Sequence, residues 1–142
     1  MAAPLVFITG ASSGIGQAMA WRFYQAGWRL ALVARRTGEI DRWAAERGLD
    51  PARMAVYSAD VAQPDSIVAA GMACLQEQGL PDVVIANAGI SIGMDSAVRA
   101  DLDVMARTFA TNNTGMAATF HPFIPGMVAR GTGKLVGIAS VA

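Results

Sequence analysis

Short apolar runs alternate along the chain with stretches whose apolar residues recur every three or four positions. The runs predict strands at Leu5–Thr9, Arg29–Ala34, Met54–Ser58, Val83–Ala86 and 134–139. Between the first two, Ile15, Ala18, Met19, Phe23 and Ala26 fall on one helical face, and Gly27 supplies the stop. A second helix is expected over Gly38–Arg47, with Ile40, Trp43, Ala44 and Arg47 near one stripe and Gly48 after it. A third starts at Pro64, buries Val68, Gly71, Met72 and Leu75, and ends at Gly79. A longer helical stretch covers roughly 102–129, with Pro122 and Pro125 bending or breaking it. Strands that alternate with helices need right-handed crossovers, so the pattern predicts a doubly wound α/β fold on a parallel sheet.

Composition narrows this picture. A chain of 142 residues is expected to be one domain, able to bury about 68–70% of its unfolded surface. Hydrophobic residues make up 54% and charged residues 15%, which suits strands covered by helices on both faces. The formal net charge is zero and no basic stripe appears, so the electrostatic footprint of a nucleic-acid binder is missing. No apolar run reaches the ~18–20 residues that span a bilayer. Residues 1–8 lack a basic leader and read as a strand, not a signal peptide. Cys74 is the single cysteine, so no internal disulfide can form, which fits a reducing cytosol. It is read as a small buried hydrophobe. His121 is the single histidine, read as a packing or surface residue, and a His-based metal site lacks its ligands.

Candidate chemistry begins where the first strand ends, at Thr9-Gly10-Ala11-Ser12-Ser13-Gly14-Ile15-Gly16. Gly10 permits a sharp exit from the strand, Gly14 leaves room for a phosphate, and Gly16 lets the helix pack close to the sheet. Ser12 and Ser13 offer hydroxyls to the same anion, and the helix N-terminus presents free N–H groups to it. Without a ligand the same residues make a tight strand–helix turn. Gln17 follows Gly16, so the Lys-Ser/Thr of an ATP-hydrolysing P-loop is missing.

These residues resemble the cofactor turn of the classical short-chain dehydrogenase/reductase family, Thr-Gly-x-x-x-Gly-x-Gly, and further motifs follow in order. Asp60-Val61 after the third strand is similar to the family's adenine-contacting pair. Asn87-Ala88-Gly89 after the fourth is similar to its Asn-Ala-Gly motif. Asn112, with Gly115 three residues on, matches its helix asparagine, and Ser140 matches its catalytic serine. The resemblance covers nearly the whole chain and implies a Rossmann-type sheet. It implies hydride transfer between a nicotinamide cofactor and a small carbonyl or alcohol substrate, with homodimers or homotetramers usual. It assigns the turn residues Gly10, Ser12, Ser13, Gly14, Ile15 and Gly16 to the cofactor, together with Asp60, Val61, Asn87, Ala88 and Gly89, and Arg35 and Arg36 join them by their position and charge. Asn112 and Ser140 are implied to be catalytic: Asn112 feeds a proton relay, and Ser140 bonds the substrate oxygen. Each has a plainer reading. Asp60 and Ser140 suit strand-end caps, Asn87 suits a brace between neighbouring backbones, and Asn112 suits a solvent-facing helix position.

Arg35 and Arg36 lie where such a fold meets the adenosine ribose. A carboxylate there would bind the 2′-hydroxyl, whereas arginine favours a 2′-phosphate. NADP(H) is therefore expected over NAD(H). The plainer reading is a solvated pair beside Glu39 or Asp41.

The pattern breaks at the proton donor. The family's Tyr-x-x-x-Lys has no counterpart, since the tyrosines are Tyr24 and Tyr57 and the one lysine is Lys134. Later strands are missing as well, which would leave the fifth as an apolar sheet edge. The chain is thus expected to be the front part of a longer oxidoreductase. A non-catalytic nucleotide-binding or interaction module is the alternative. Segment 90–95 is expected to line the substrate entrance with small and apolar groups.

Overall fold

The computed structural model describes residues 2–89 and 94–139. Strands β1 (Leu5–Thr9), β2 (Arg29–Ala34), β3 (Met54–Ser58), β4 (Val83–Ala86) and β5 (Lys134–Gly137) form one parallel sheet in the order β3-β2-β1-β4-β5. The helices are α1 (Gly14–Gln25), α2 (Gly38–Arg47), α3 (Pro64–Glu77), α4 (Arg99–Phe109), α5 (Gly115–Phe120) and α6 (Ile124–Arg130). The doubly wound architecture expected from the pattern is present.

β1 is buried along its whole length, because helices cover both sides of the sheet. Leu5 and Phe7 join Val84 under Ile67, Ala70 and Cys74 of α3, with Phe123 and Met127 beside them. Phe7 and Phe123 meet edge to face with ring centroids 4.9 Å apart. Val6 and Ile8 join Leu30, Leu32 and Ile85 under Ala20 of α1 and Ile40, Trp43 and Ala44 of α2. Burial pushes the Cys74 thiol up to about 12, so it stays protonated and packs as a hydrophobe. Arg47, expected on the α2 stripe, is exposed and lays its guanidinium over the Trp21 ring at 4.8 Å.

Two helices present a different face from the one expected. On α1, Ile15 is 63% exposed, and Ala18 and Ala26 are also exposed, while Gly16 and Ala20 are buried. The contact of Gly16 with the turn below it sets the rotation of this helix, and that contact turns Ile15 outward. On α3 the inward line is Ile67, Ala70, Gly71 and Cys74, whereas Met72 is 54% exposed. Pro122 and Phe123 press on Gly71, where a Cβ would stand 2.7 Å from Pro122 Cγ. That close approach fixes which side of α3 faces in.

The long helical stretch is also segmented. A π turn at Ala110–Thr114 separates α4 from α5, and a 3-10 turn at His121–Phe123 separates α5 from α6. Pro122 lies in the 3-10 turn and Pro125 in the first turn of α6, where a missing N–H breaks no helical bond. The fifth strand ends at Gly137, two residues short of expectation, although Ile138 N still donates to Ala86 O at 3.1 Å. Among the described residues β5 is the outer strand, and it is exposed throughout.

Candidate functional site

The chain crosses over at β1. It runs outward through β2 and β3, then returns past β1 to β4. Loops that leave β1 and β4 therefore diverge at their C-terminal ends, and open α/β sheets bind ligands in that crevice. Here the crevice is a cleft of about 670 Å³, within the range of small-molecule sites.

One wall is the glycine turn. Gly10 takes φ +65° and Gly14 φ +56°, both left-handed. A Cβ on Gly10 would stand 2.9 Å from Ala88 Cα, and one on Gly16 would collide with the Gly10 carbonyl. These two glycines answer to the protein's own packing. Gly14 differs, because nothing lies within 4 Å of its Cβ position. The first turn of α1 has no side-chain cap and no acidic residue, so its N–H groups face that open space. Ser13, extended at φ −162°, leads the chain in. Gln17 Nε2 donates to Ser12 O at 3.2 Å and steadies the turn. An open left-handed glycine beside uncapped helix N–H groups fits a phosphate group.

The opposite wall comes from β4. Thr9 is 1% exposed, and its Oγ1 accepts from the backbone N–H of both Asn87 and Ala88 at 3.0 Å. Asn87 Nδ2 donates to Gly10 O at 3.2 Å. Asn87 thus braces the two strand ends, as its plainer reading held, and still lines the cleft with Ala88 and Gly89. A Cβ on Gly89 would stand 3.0 Å from Asn112 Oδ1, so the asparagine in the π turn sits against this loop.

Asp60 also shows its plainer role. Its Oδ1 accepts from Ala62 N at 3.0 Å, and its own N–H donates to Ser66 Oγ at 3.0 Å. It nevertheless lines the cleft beside Val61. Arg35 lines the cleft, and its carbonyl accepts from Ser58 Oγ at 3.0 Å.

Of the expected cofactor residues, Gly10, Ser12, Ser13, Arg35, Asp60, Val61, Asn87, Ala88 and Gly89 meet around one cleft. Gly14, Ile15, Gly16 and Arg36 stand outside its lining. Asn112 lies just behind Gly89. Ser140 and residues 90–93 of the expected substrate entrance lie outside the described residues. Sequence reasoning missed Ala62, Gln63, Arg107, Ala110 and Thr111, which also line the cleft. Helical spacing held the signal for the last three, since Arg107 precedes Thr111 by one turn and so shares its face. Among the described residues, no group of His, Cys, Asp or Glu could hold a metal ion, and no helix is long and apolar enough to cross a membrane.

Comparison with known proteins identifies the family and agrees with the fold. Residues 4–142 match the family model for the short chain dehydrogenases. A dehydrogenase/reductase SDR family protein 7-like from Drosophila melanogaster is 38% identical over 141 residues, covering 96% of this chain and 43% of that protein. An NADP-dependent 3-hydroxy acid dehydrogenase from Shigella flexneri is 28% identical over 138 residues, covering 97% of this chain and 54% of that protein. A crystal structure of a metagenomic short-chain oxidoreductase in complex with NADP superposes with a TM-score of 0.87 at 26% identity, covering 98% of this chain and 63% of that one. The chain spans about half the length of the curated relatives it matches. With the family model matched from residue 4 to residue 142, the chain belongs to the short-chain dehydrogenase family.

Proposed function

We propose that this chain is the cofactor-binding part of an NADP(H)-dependent oxidoreductase acting on a small carbonyl or alcohol substrate. The observation that carries the reading is the cleft's charge. Arg35 lines it where β2 ends, and no carboxylate from β2 or the loop after it does so. A carboxylate at that place selects the 2′-hydroxyl of NAD(H); a guanidinium suits the extra phosphate of NADP(H). The NADP named in the metagenomic relative's structure and the Shigella enzyme's NADP dependence support the same choice.

When bound, the nicotinamide supplies or accepts the hydride. The protein's part is to hold and orient. The N–H groups at the start of α1, with Ser12 and Ser13, hold the pyrophosphate, and Gly14 and Ile15 lie alongside it. The Asp60 carboxylate accepts from the adenine amino group beside Val61. Ala88 and Gly89 leave room for the ribose, and Arg36 adds positive charge outside the cleft. Asn112 and Ser140 are the catalytic residues, the first holding a proton-relay water and the second the substrate oxygen. The reading places the protein in the cytosol as a homodimer or homotetramer.

Titration of tryptophan fluorescence tests the cofactor choice. NADPH is expected to bind more tightly than NADH. Arg35→Ala should weaken NADPH by about 10- to 150-fold, the ~1.5–3 kcal/mol of a hydrogen bond to a charged group, and leave NADH nearly unchanged. Equal or reversed affinities in the unaltered protein would sink the argument from Arg35. A second expectation concerns turnover. With no Tyr-x-x-x-Lys to deliver a proton, the 142-residue chain should reduce no carbonyl compound above background in an NADPH-oxidation assay. Measurable turnover would show that another group donates the proton.

A further inference from the structure

The cleft is lined by a second cation that the family motifs do not account for. Arg107, Ala110 and Thr111 share one face at the end of α4 and the start of the π turn, and all three line the cleft. The packing places this wall. Gly115, just after the π turn, lies so close to the Val61 carbonyl that a Cβ would collide with it. The α4 wall therefore stands against the turn that follows β3, where Asp60, Val61, Ala62 and Gln63 line the cleft. The glycine turn belongs to β1, and Arg35 enters from the end of β2. With Asp60 accepting from the adenine amino group, as in the function proposed above, this wall is the base end of the cleft. Arg107 is exposed, and no ion pair or hydrogen bond among the described residues engages its side chain.

We propose that Arg107 is a cofactor-binding residue that lies its guanidinium against the adenine ring, gripping the base whichever dinucleotide is bound. This inference rests on the nucleotide reading given above. The chemistry is that of a planar cation on a π face, which arginine supplies and lysine reproduces poorly. Contact with the base alone makes Arg107 blind to the 2′-phosphate. Its effect then differs in kind from that of Arg35.

The test uses the full chain, with NADPH, NADH and adenosine 5′-monophosphate titrated separately. Arg107→Ala is expected to weaken all three by the same factor, about 3- to 10-fold, with an unchanged melting temperature. Arg107→Lys should recover little of the loss. A loss confined to NADPH would make Arg107 a phosphate ligand and overturn the proposal, as would unchanged affinities. A loss for the dinucleotides without one for the monophosphate would move Arg107 away from the base and also overturn it. If the unaltered chain binds none of the three, the nucleotide reading itself fails. If it binds them and Arg107→Ala changes nothing, only the role of Arg107 fails.

Discussion

Gly16→Val is expected to abolish nucleotide binding and to lower stability by about 3 kcal/mol or more. Gly16 is buried, and its Cβ position is already taken by the Gly10 carbonyl, with Asn87 Nδ2 at 2.7 Å. Both neighbours are held. Gly10 O accepts the Asn87 amide, and Gly10 itself is wedged against Ala88. A side chain at position 16 must therefore lift α1 from the turn or tear Asn87 from its acceptor. Either change moves the N–H groups that face the phosphate space. Gly14→Ala makes the informative contrast. Nothing blocks its Cβ, so the cost to folding is the left-handed backbone alone, about 1–2 kcal/mol. The new methyl nevertheless enters the open space in front of α1. Urea unfolding and NADPH titration on both variants separate the effects. Gly14→Ala should lose affinity while remaining folded, and Gly16→Val should lose both. Normal NADPH affinity in Gly14→Ala would mean that the open space holds no phosphate.

The second large effect is expected at Thr9. Its hydroxyl oxygen accepts two backbone N–H groups in a site 1% exposed. Thr9→Val keeps the shape but removes that acceptor, leaving two donors at the cleft wall unpaired. Each costs about 1–3 kcal/mol, so the variant should lose about 2–6 kcal/mol in urea unfolding. The strand ends that frame the cleft should separate, and nucleotide affinity should fall with stability. Thr9→Ser keeps the oxygen and loses only a methyl, worth about 0.8 kcal/mol. A valine variant as stable as the serine variant would show that the paired N–H groups are not held through Thr9.

Much of the fold is legible along the chain because parallel strands buried on both faces read as unbroken apolar runs. The first four strands agree with the structure end to end, and only the fifth is shorter, ending at Gly137. Helix existence was legible as well, but helix rotation was not. Ile15 and Met72 suit an apolar stripe as well as Gly16 and Gly71 do. What turns them outward is contact between elements far apart in sequence: Gly71 under Pro122, and Gly16 on a turn tied to Asn87. The π turn was equally hidden, because Asn112 and Asn113 look like poor helix formers and nothing local says that they widen the helix.

The site divides along the same line. The sequence by itself determined that a glycine turn joins a buried strand to a helix. It likewise determined that Arg35, Asp60 and Asn87 stand at successive strand ends, since strand ends and glycines are local features. Only the tertiary structure decided that these ends share one cleft. Only there does the Thr9 hydroxyl hold Asn87 and Ala88 in place, and only there does Arg107 line the same cleft as Asp60. The physical reason is the crossover. Strand order within a sheet is fixed by packing between segments distant in sequence, so no local pattern records that β4 returns to the side of β1.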